Sequence, residues 1–316
     1  MEVFILWAYF FKDISMKNLS TINFDLLKKN DHHSLITLKI AVTKTGFLKL
    51  NNLPISDNLI NSIFNEYKLF FSKPISEKNK VNMKFTNSNR GWGESKSEQV
   101  NQNFSPDLKE MYDSGPEIKL NHKFKNLPYY AKNIWPKDMP KLKEISDKFY
   151  SNCCDIALIV LKKIAKSLNY SESFFSNKFD LPMALLRCNY YHGIPSLTDK
   201  EEFGIAPHTD YGCLTLLFTE NDNELEIKTP DKQWLKVQAK TNELIINFGD
   251  MLEFWTNHKV KATLHRVKST KNKRYSIPFF FNPRHDTLIG KDGNNKGIYA
   301  GEYLAYKYDT TYKHKM

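Results

Sequence analysis

The 316-residue chain has no run of 18 apolar residues, so no membrane-spanning helix is expected. Cysteine is scarce. Cys153, Cys154, Cys188 and Cys213 are the four, with no C-x-x-C among them. That excludes a disulfide scaffold and a cysteine zinc ribbon, and points to reduced thiols in a cytoplasmic protein. Arginine is rarer than the charge suggests. The net charge is +11 and the pI near 9.2, yet only Arg90, Arg187, Arg266, Arg274 and Arg284 are arginines. Scattered lysine reads as solvated surface. No zinc-finger spacing, RNA-recognition signature or basic zipper accompanies it, so nucleic acid is not expected as a partner. The basic stretch from Lys259 to Arg274 suggests instead an anionic small molecule as substrate. The apolar start, MEVFILWAYFF, lacks both the basic flank and the small-residue cleavage site of a secretory signal. With no arginine in residues 1–20 it is not a mitochondrial presequence either. We read residues 1–20 as an extension without stable membrane insertion, Met16 being the working start.

What is present suffices for a core. Hydrophobic residues make up 41% and charged residues 26%, the balance of a folded protein. Phe47 to Leu50, after Gly46, reads as a strand; Ser56 or Asp57 caps a helix running to about Phe71. Residues 86–116 are rich in Asn, Ser, Gly and Glu and read as a long loop. From Met139 to Leu168 apolar residues recur at steps of three and four, which predicts a long helix with Cys153 on its buried stripe. Beyond Leu181 the texture changes to short strands: Met183–Tyr191, Cys213–Thr219, Leu225–Lys228, Trp234–Val237, Glu243–Phe248, Thr263–Val267 and Tyr275–Phe281. Such spacing suggests a barrel or sandwich. The outline is a mostly helical N-terminal half that buttresses a β core.

The chemistry concentrates in Ala206-Pro207-His208-Thr209-Asp210-Tyr211. On an extended strand His208 and Asp210 would share a face. A third ligand, His265, lies in Leu264-His265-Arg266-Val267 on a later strand. Two imidazoles and one carboxylate leave open positions, the arrangement for a non-haem Fe(II) that activates oxygen. Alone, H-x-D is a weak signal; most matches are a surface His near a surface Asp. Arg274 and Ser276 make it specific, because they alternate onto one face of the next strand. A planar guanidinium and a hydroxyl there can grip the far carboxylate of a chelating dicarboxylic acid.

This pattern resembles the isopenicillin N synthase-like family of Fe(II)- and 2-oxoglutarate-dependent oxygenases. HTDYGCLTLLF, INFGDMLEFWTN, LHRV and RYSIPFFFNP stand in the family's order, with TGFLKLNNLPIS, RGWGE and DLKEMYDSG upstream. The resemblance covers roughly residues 34–305. It implies a mainly β core with α, a double-stranded β-helix (jelly roll) buttressed by N-terminal helices. Its expected parts are an extension (1–20), an N-terminal module (21–135), a buttressing helix (136–180), the jelly-roll core (181–285) and a C-terminal segment (286–316), all in one compact unit. It implies that His208, Asp210 and His265 hold iron and that Arg274 and Ser276 bind 2-oxoglutarate. Asn189 and Tyr191 match positions beside that co-substrate. Two departures stand out: Asn223-Glu224 replaces the family's glycine pair, and His192-Gly193 follows Tyr191 where a proline is usual.

The resemblance further implies oxidation of a small molecule by O2, hydroxylation first with desaturation or ring closure left open, and 2-oxoglutarate converted to succinate and CO2. Two alternatives remain at this level. Relatives that work without 2-oxoglutarate, as iron-dependent oxidases or cyclases, bind a substrate carboxylate at the same Arg-x-Ser pair. A non-catalytic jelly-roll binding protein is the other, and the intact five-residue set argues against it. Substrate identity and oligomeric state are not legible in the sequence. His258, seven positions before His265, reads as an exposed histidine; His192 and His285 read as surface histidines.

Overall fold

In this computed structural model the described residues are 18–86, 88–119, 121–194, 203–220 and 224–309. The apolar run 1–11, Pro195, Asn223 and the final residues lie outside them. The helices are α1 (Phe24–Lys28), α2 (His32–Ile40), α3 (Asp57–Phe71), α4 (Ile75–Lys78), α5 (Pro140–Ser167), α6 (Asp250–Trp255) and α7 (Ala300–Asp309). The strands are β1 (Thr21–Asn23), β2 (Phe47–Asn51), β3 (Gly91–Gly93), β4 (Glu110–Ser114), β5 (Leu185–Tyr191), β6 (Phe203–His208) and β7 (Leu214–Thr219). They continue with β8 (Leu225–Lys228), β9 (Trp234–Lys236), β10 (Leu244–Phe248), β11 (His265–Lys268), β12 (Arg274–Phe281), β13 (Leu288–Lys291) and β14 (Gly297–Tyr299).

An eight-stranded sheet in the order β1-β2-β10-β7-β12-β5-β4-β3 faces a four-stranded sheet in the order β6-β11-β8-β9. Alternation along β7 shows how the large sheet is shared. Leu216 and Phe218 join the core on the helical side, while Leu217 points toward the smaller sheet. On that inner side Phe47, Tyr191, Ile245, Leu225, Ile227 and Val267 close the space between the sheets. Fully burying each such side chain contributes about 1.5–3 kcal/mol. Leu19 is buried in the same inner cluster, so the chain enters the core before β1.

The outer face of the large sheet rests on α3 and α5. Ser56 caps α3 by accepting from the Leu59 amide. Proline at the first position of α5 sits where no intrahelical N–H is needed. Leu142, Phe149, Cys153, Ile156, Val160 and Ile164 form the buried stripe of α5. Phe149 meets Phe218 edge to face, with ring centroids 4.9 Å apart, and Tyr150 meets Phe279 at 5.2 Å. The long helix is therefore the buttress its periodicity predicts. No helix among the described residues is long and apolar enough to cross a membrane.

Two expectations change. Residues 86–116 are not all loop: β3 and β4 lie in that stretch, and all five residues of β4 are buried. Nor is the N-terminal part simply a helical buttress, since β1 to β4 form both edges of the large sheet. Composition hid β4 because three of its five residues are polar, and buried polar strands carry no hydrophobic alternation. The turn into β2 needs Gly46. Its φ is +70°, and an added Cβ would fall 2.2 Å from Thr263 Oγ1. That close approach ties β2 to the segment leading into β11.

Candidate metal centre and its cavity

The small sheet supplies two imidazoles by pairing the end of one strand with the start of another. His208 closes β6, His265 opens β11, and the two are direct antiparallel partners. Their ring centroids lie 4.3 Å apart. Each Nδ1 faces a backbone carbonyl: Ala206 O at 2.7 Å for His208, Thr263 O at 3.0 Å for His265. A carbonyl only accepts, so each Nδ1 carries the proton and donates. Each Nε2 then presents its lone pair inward.

Asp210 completes the set from beyond the strand end. Its Oδ1 lies 3.7 Å from His208 Nε2 and 3.5 Å from His265 Nε2. One ligand atom from each residue falls within 4.8 Å of the others. The strand-alternation argument for H-x-D is thus corrected. β6 stops at His208, and Asp210 sits in the irregular segment that follows. What aims its carboxylate is hydrogen bonding: Thr215 Oγ1 and Asn247 Nδ2 both donate to Oδ2, the latter at 2.6 Å. Burial alone would raise the Asp210 carboxyl. When their Nε2 atoms are also protonated, the hydrogen bonds and charge of the two histidines outweigh it and hold the group well below the usual carboxylate range. Asp210 is therefore anionic and ready to receive a cation.

Arg274, Ser276, Asn189 and Tyr191 form a block on two adjacent strands. Arg274 pairs with Tyr191 across β12 and β5, and Ser276 pairs with Asn189. All four line one cavity with the three ligand residues. The Arg274 guanidinium lies 4.5 Å from the centroid of the Tyr191 ring, which supports its plane from one side. Asn189 Nδ2 reaches Ser276 Oγ at 3.5 Å, while Asn189 Oδ1 is buried with no hydrogen-bond partner among the described residues. An unsatisfied buried acceptor in a cavity wall calls for a ligand or water there.

Comparison with known proteins agrees with this geometry. Residues 182–283 match the model of the 2OG-Fe(II) oxygenase superfamily, and residues 19–138 match that of the non-haem dioxygenase in morphine synthesis N-terminal region. A 2-oxoglutarate-Fe(II) type oxidoreductase of Emericella nidulans is 32% identical over 255 residues, covering 76% of this chain and 72% of the relative. The chain belongs to the 2OG-Fe(II) oxygenase superfamily. A proline hydroxylase of Petromyces alliaceus is 29% identical over 86% of this chain and 90% of its own. The crystal structure of a full-length Neurospora crassa protein in complex with alpha-KG superposes with a TM-score of 0.80 at 26% identity, covering 93% of this chain and 97% of that one. The same Neurospora protein has been crystallised with alpha-KG and thymine. The fold is the jelly roll of this superfamily. The protein is a 2-oxoglutarate-dependent oxygenase that uses Fe(II) and O2 and acts on a small molecule.

The donors suit the metal this oxygenase superfamily uses. Two imidazoles and a carboxylate form a set with no thiolate, which favours ferrous iron over softer ions. The oxygenase cavity also has a wall that the sequence did not announce. Arg187 donates twice to Asp113, its cross-strand partner, at 2.7 Å each. It also reaches Glu98 at 3.0 Å. Lys109 bonds the same Glu98, and Asp107 at 3.2 Å. Burial pushes the Glu98 carboxyl up, but the charges of Arg187 and Lys109 win and hold it well below its ordinary value. Glu98, Lys109 and Arg187 line the cavity. The sequence signal was the motif DLKEMYDSG, which holds Asp107, Lys109 and Asp113, but its apolar part, Met111-Tyr112, is too short to read as a strand.

The other histidines sit apart from this centre. His258 is exposed and near Glu253, as expected. His192 pairs with the buried Glu110 at 2.9 Å. His285 is half-buried against Phe124 and Tyr129, more enclosed than a surface residue.

Proposed function

We propose that His208, Asp210 and His265 hold the ferrous ion, and that Arg274 and Ser276 bind the distal carboxylate of 2-oxoglutarate. The observation that carries this is the shared cavity. Three convergent ligand atoms lie at one place in it, and a guanidinium with a hydroxyl two positions on faces the same space. Asn189 and Tyr191 assist by position: Tyr191 supports the guanidinium, and Asn189 offers an amide beside Ser276. When bound, the iron supplies the oxidising chemistry that couples decarboxylation of 2-oxoglutarate to attack on a substrate C–H bond. The chain's own work is to fix the two Nε2 atoms, keep Asp210 charged, anchor the co-substrate and exclude bulk water. We take the outcome to be hydroxylation.

We further read the substrate as a small polar molecule lying between the ligand set and the Glu98–Lys109–Arg187 wall. The complex of the Neurospora protein with thymine supports that size and polarity. The basic stretch 259–274 gives an anionic substrate little support. Arg266 pairs with Glu226, Lys261 with Glu253, and Lys259 lies over Tyr170; within the stretch, His265, Val267 and Arg274 line the cavity. A cytoplasmic location fits four unbridged cysteines. The test is to load the protein with Fe(II) and 2-oxoglutarate without oxygen, then screen polar metabolites for stimulated succinate release. Full oxygen consumption with substrate but no 2-oxoglutarate would overturn the co-substrate assignment.

A further inference from the structure

The two oxygens of Asp210 have unlike surroundings. Oδ1 faces the imidazole nitrogens of His208 and His265. Oδ2 accepts from Thr215 Oγ1 and from Asn247 Nδ2. Those two donors are direct partners across β7 and β10, so the antiparallel register itself brings hydroxyl and amide to one point. Both are buried in the large sheet, whereas the histidines stand on the small one. Asp210 thus bridges the sheets, with one oxygen assigned to each. A carboxylate oxygen has two in-plane lone pairs, and here two donors occupy those of Oδ2.

Resting on the iron assignment proposed above, we infer that Thr215 and Asn247 are positioning residues that keep Asp210 a one-oxygen ligand. A carboxylate free to turn can bind a cation through both oxygens. With two imidazoles already bound, a second carboxylate oxygen would fill one of the positions that a chelating co-substrate and O2 require. Holding Oδ2 on the large sheet prevents that. The pair therefore governs how many positions stay open, more than how tightly the metal is held. Thr215→Val is the cleaner probe, because it removes the hydroxyl at nearly constant shape; Asn247→Leu is the harsher one. Thr215→Ser restores a donor and serves as the rescue.

The experiment uses Co(II) as the metal probe, without oxygen, on the full chain. Co(II) affinity, its visible absorption and the affinity of the Co(II)-loaded protein for 2-oxoglutarate are measured separately. Loss of an outer partner of a metal ligand typically costs tenfold to a hundredfold in metal affinity or activity; here the freed Oδ2 would compensate at the metal, so a loss of that order falls on the co-substrate. That loss is expected in 2-oxoglutarate affinity for Thr215→Val, with Co(II) affinity changed less than tenfold, an altered Co(II) spectrum and recovery in Thr215→Ser. Equal weakening of Co(II) in all variants with unchanged 2-oxoglutarate affinity would overturn the inference, leaving the two residues as ordinary supports. A wild-type protein whose Co(II) binding is indifferent to His265→Ala would instead overturn the iron assignment beneath it.

Discussion

At one end of the cavity a single carboxylate lies between two imidazoles; along its wall three carboxylates meet two cations. The metal end leaves inward-facing lone pairs on His208 and His265 and a charged oxygen on Asp210, all aimed at one point. The wall satisfies itself, since Arg187 and Lys109 are each held by two acidic residues. Both ends are buried and polar, but only one is incomplete without a ligand. The difference separates the part of the site suited to hold a cation from the part that shapes a pocket. It also explains why burial alone does not identify a catalytic group.

The sharpest way to break that comparison is His265→Ala. This variant should remain folded but lose stoichiometric iron, and turnover should fall to background; metal analysis and succinate assay check it. Iron and activity both retained would remove His265 from the ligand set. Next is Arg274→Gln. Removing one partner of a buried carboxylate pair costs about 3–5 kcal/mol, so the 2-oxoglutarate requirement should rise on the order of a hundred- to several-thousand-fold. Iron content should hold, and Arg274→Lys should recover part of the loss, keeping the charge without the fork.

Arg187→Met tests the self-satisfied wall. It leaves Glu98 and Asp113 buried without their guanidinium, and should cost about 3–5 kcal/mol in chemical denaturation. Metal affinity of the folded protein should change little. A stability loss below about 1 kcal/mol, with iron binding lost, would reverse the roles given to the two ends. The smallest effect belongs to His192→Ala. Its side chain is 47% exposed, and the pair with Glu110 is backed by Lys78 and Trp92. Solvent screening should keep the change under about 1 kcal/mol. A larger loss would show that the buried network extends to the surface at this point.

Local pattern made the scaffold legible where periodicity and capping agree. Helix α5 and strands β7, β8, β10 and β12 lie within a few residues of their expected bounds, because apolar spacing directly reflects which face is buried. Strand β4 was missed because its stability comes from partners seventy-four residues away, Arg187 against Asp113. The site residues divide likewise. His208, Asp210, His265, Arg274 and Ser276 carry chemistry in their type and order. Thr215 and Asn247 are ordinary strand residues until the sheet brings them together.

The sequence by itself determined the long helix and the strand-rich core, and its motifs pointed by resemblance to the superfamily and to the candidate site residues. The helix and strands follow from short-range periodicity; the rest follows from the resemblance of the motifs and their order to the family's. Only the tertiary structure decided how Asp210 is aimed, that the 86–116 segment closes the cavity with paired charges, and that the basic stretch is largely engaged elsewhere. Each of those depends on contacts between residues distant in the chain. Hydrogen bonds and ion pairs there are fixed by strand register and burial, which no local window of sequence contains.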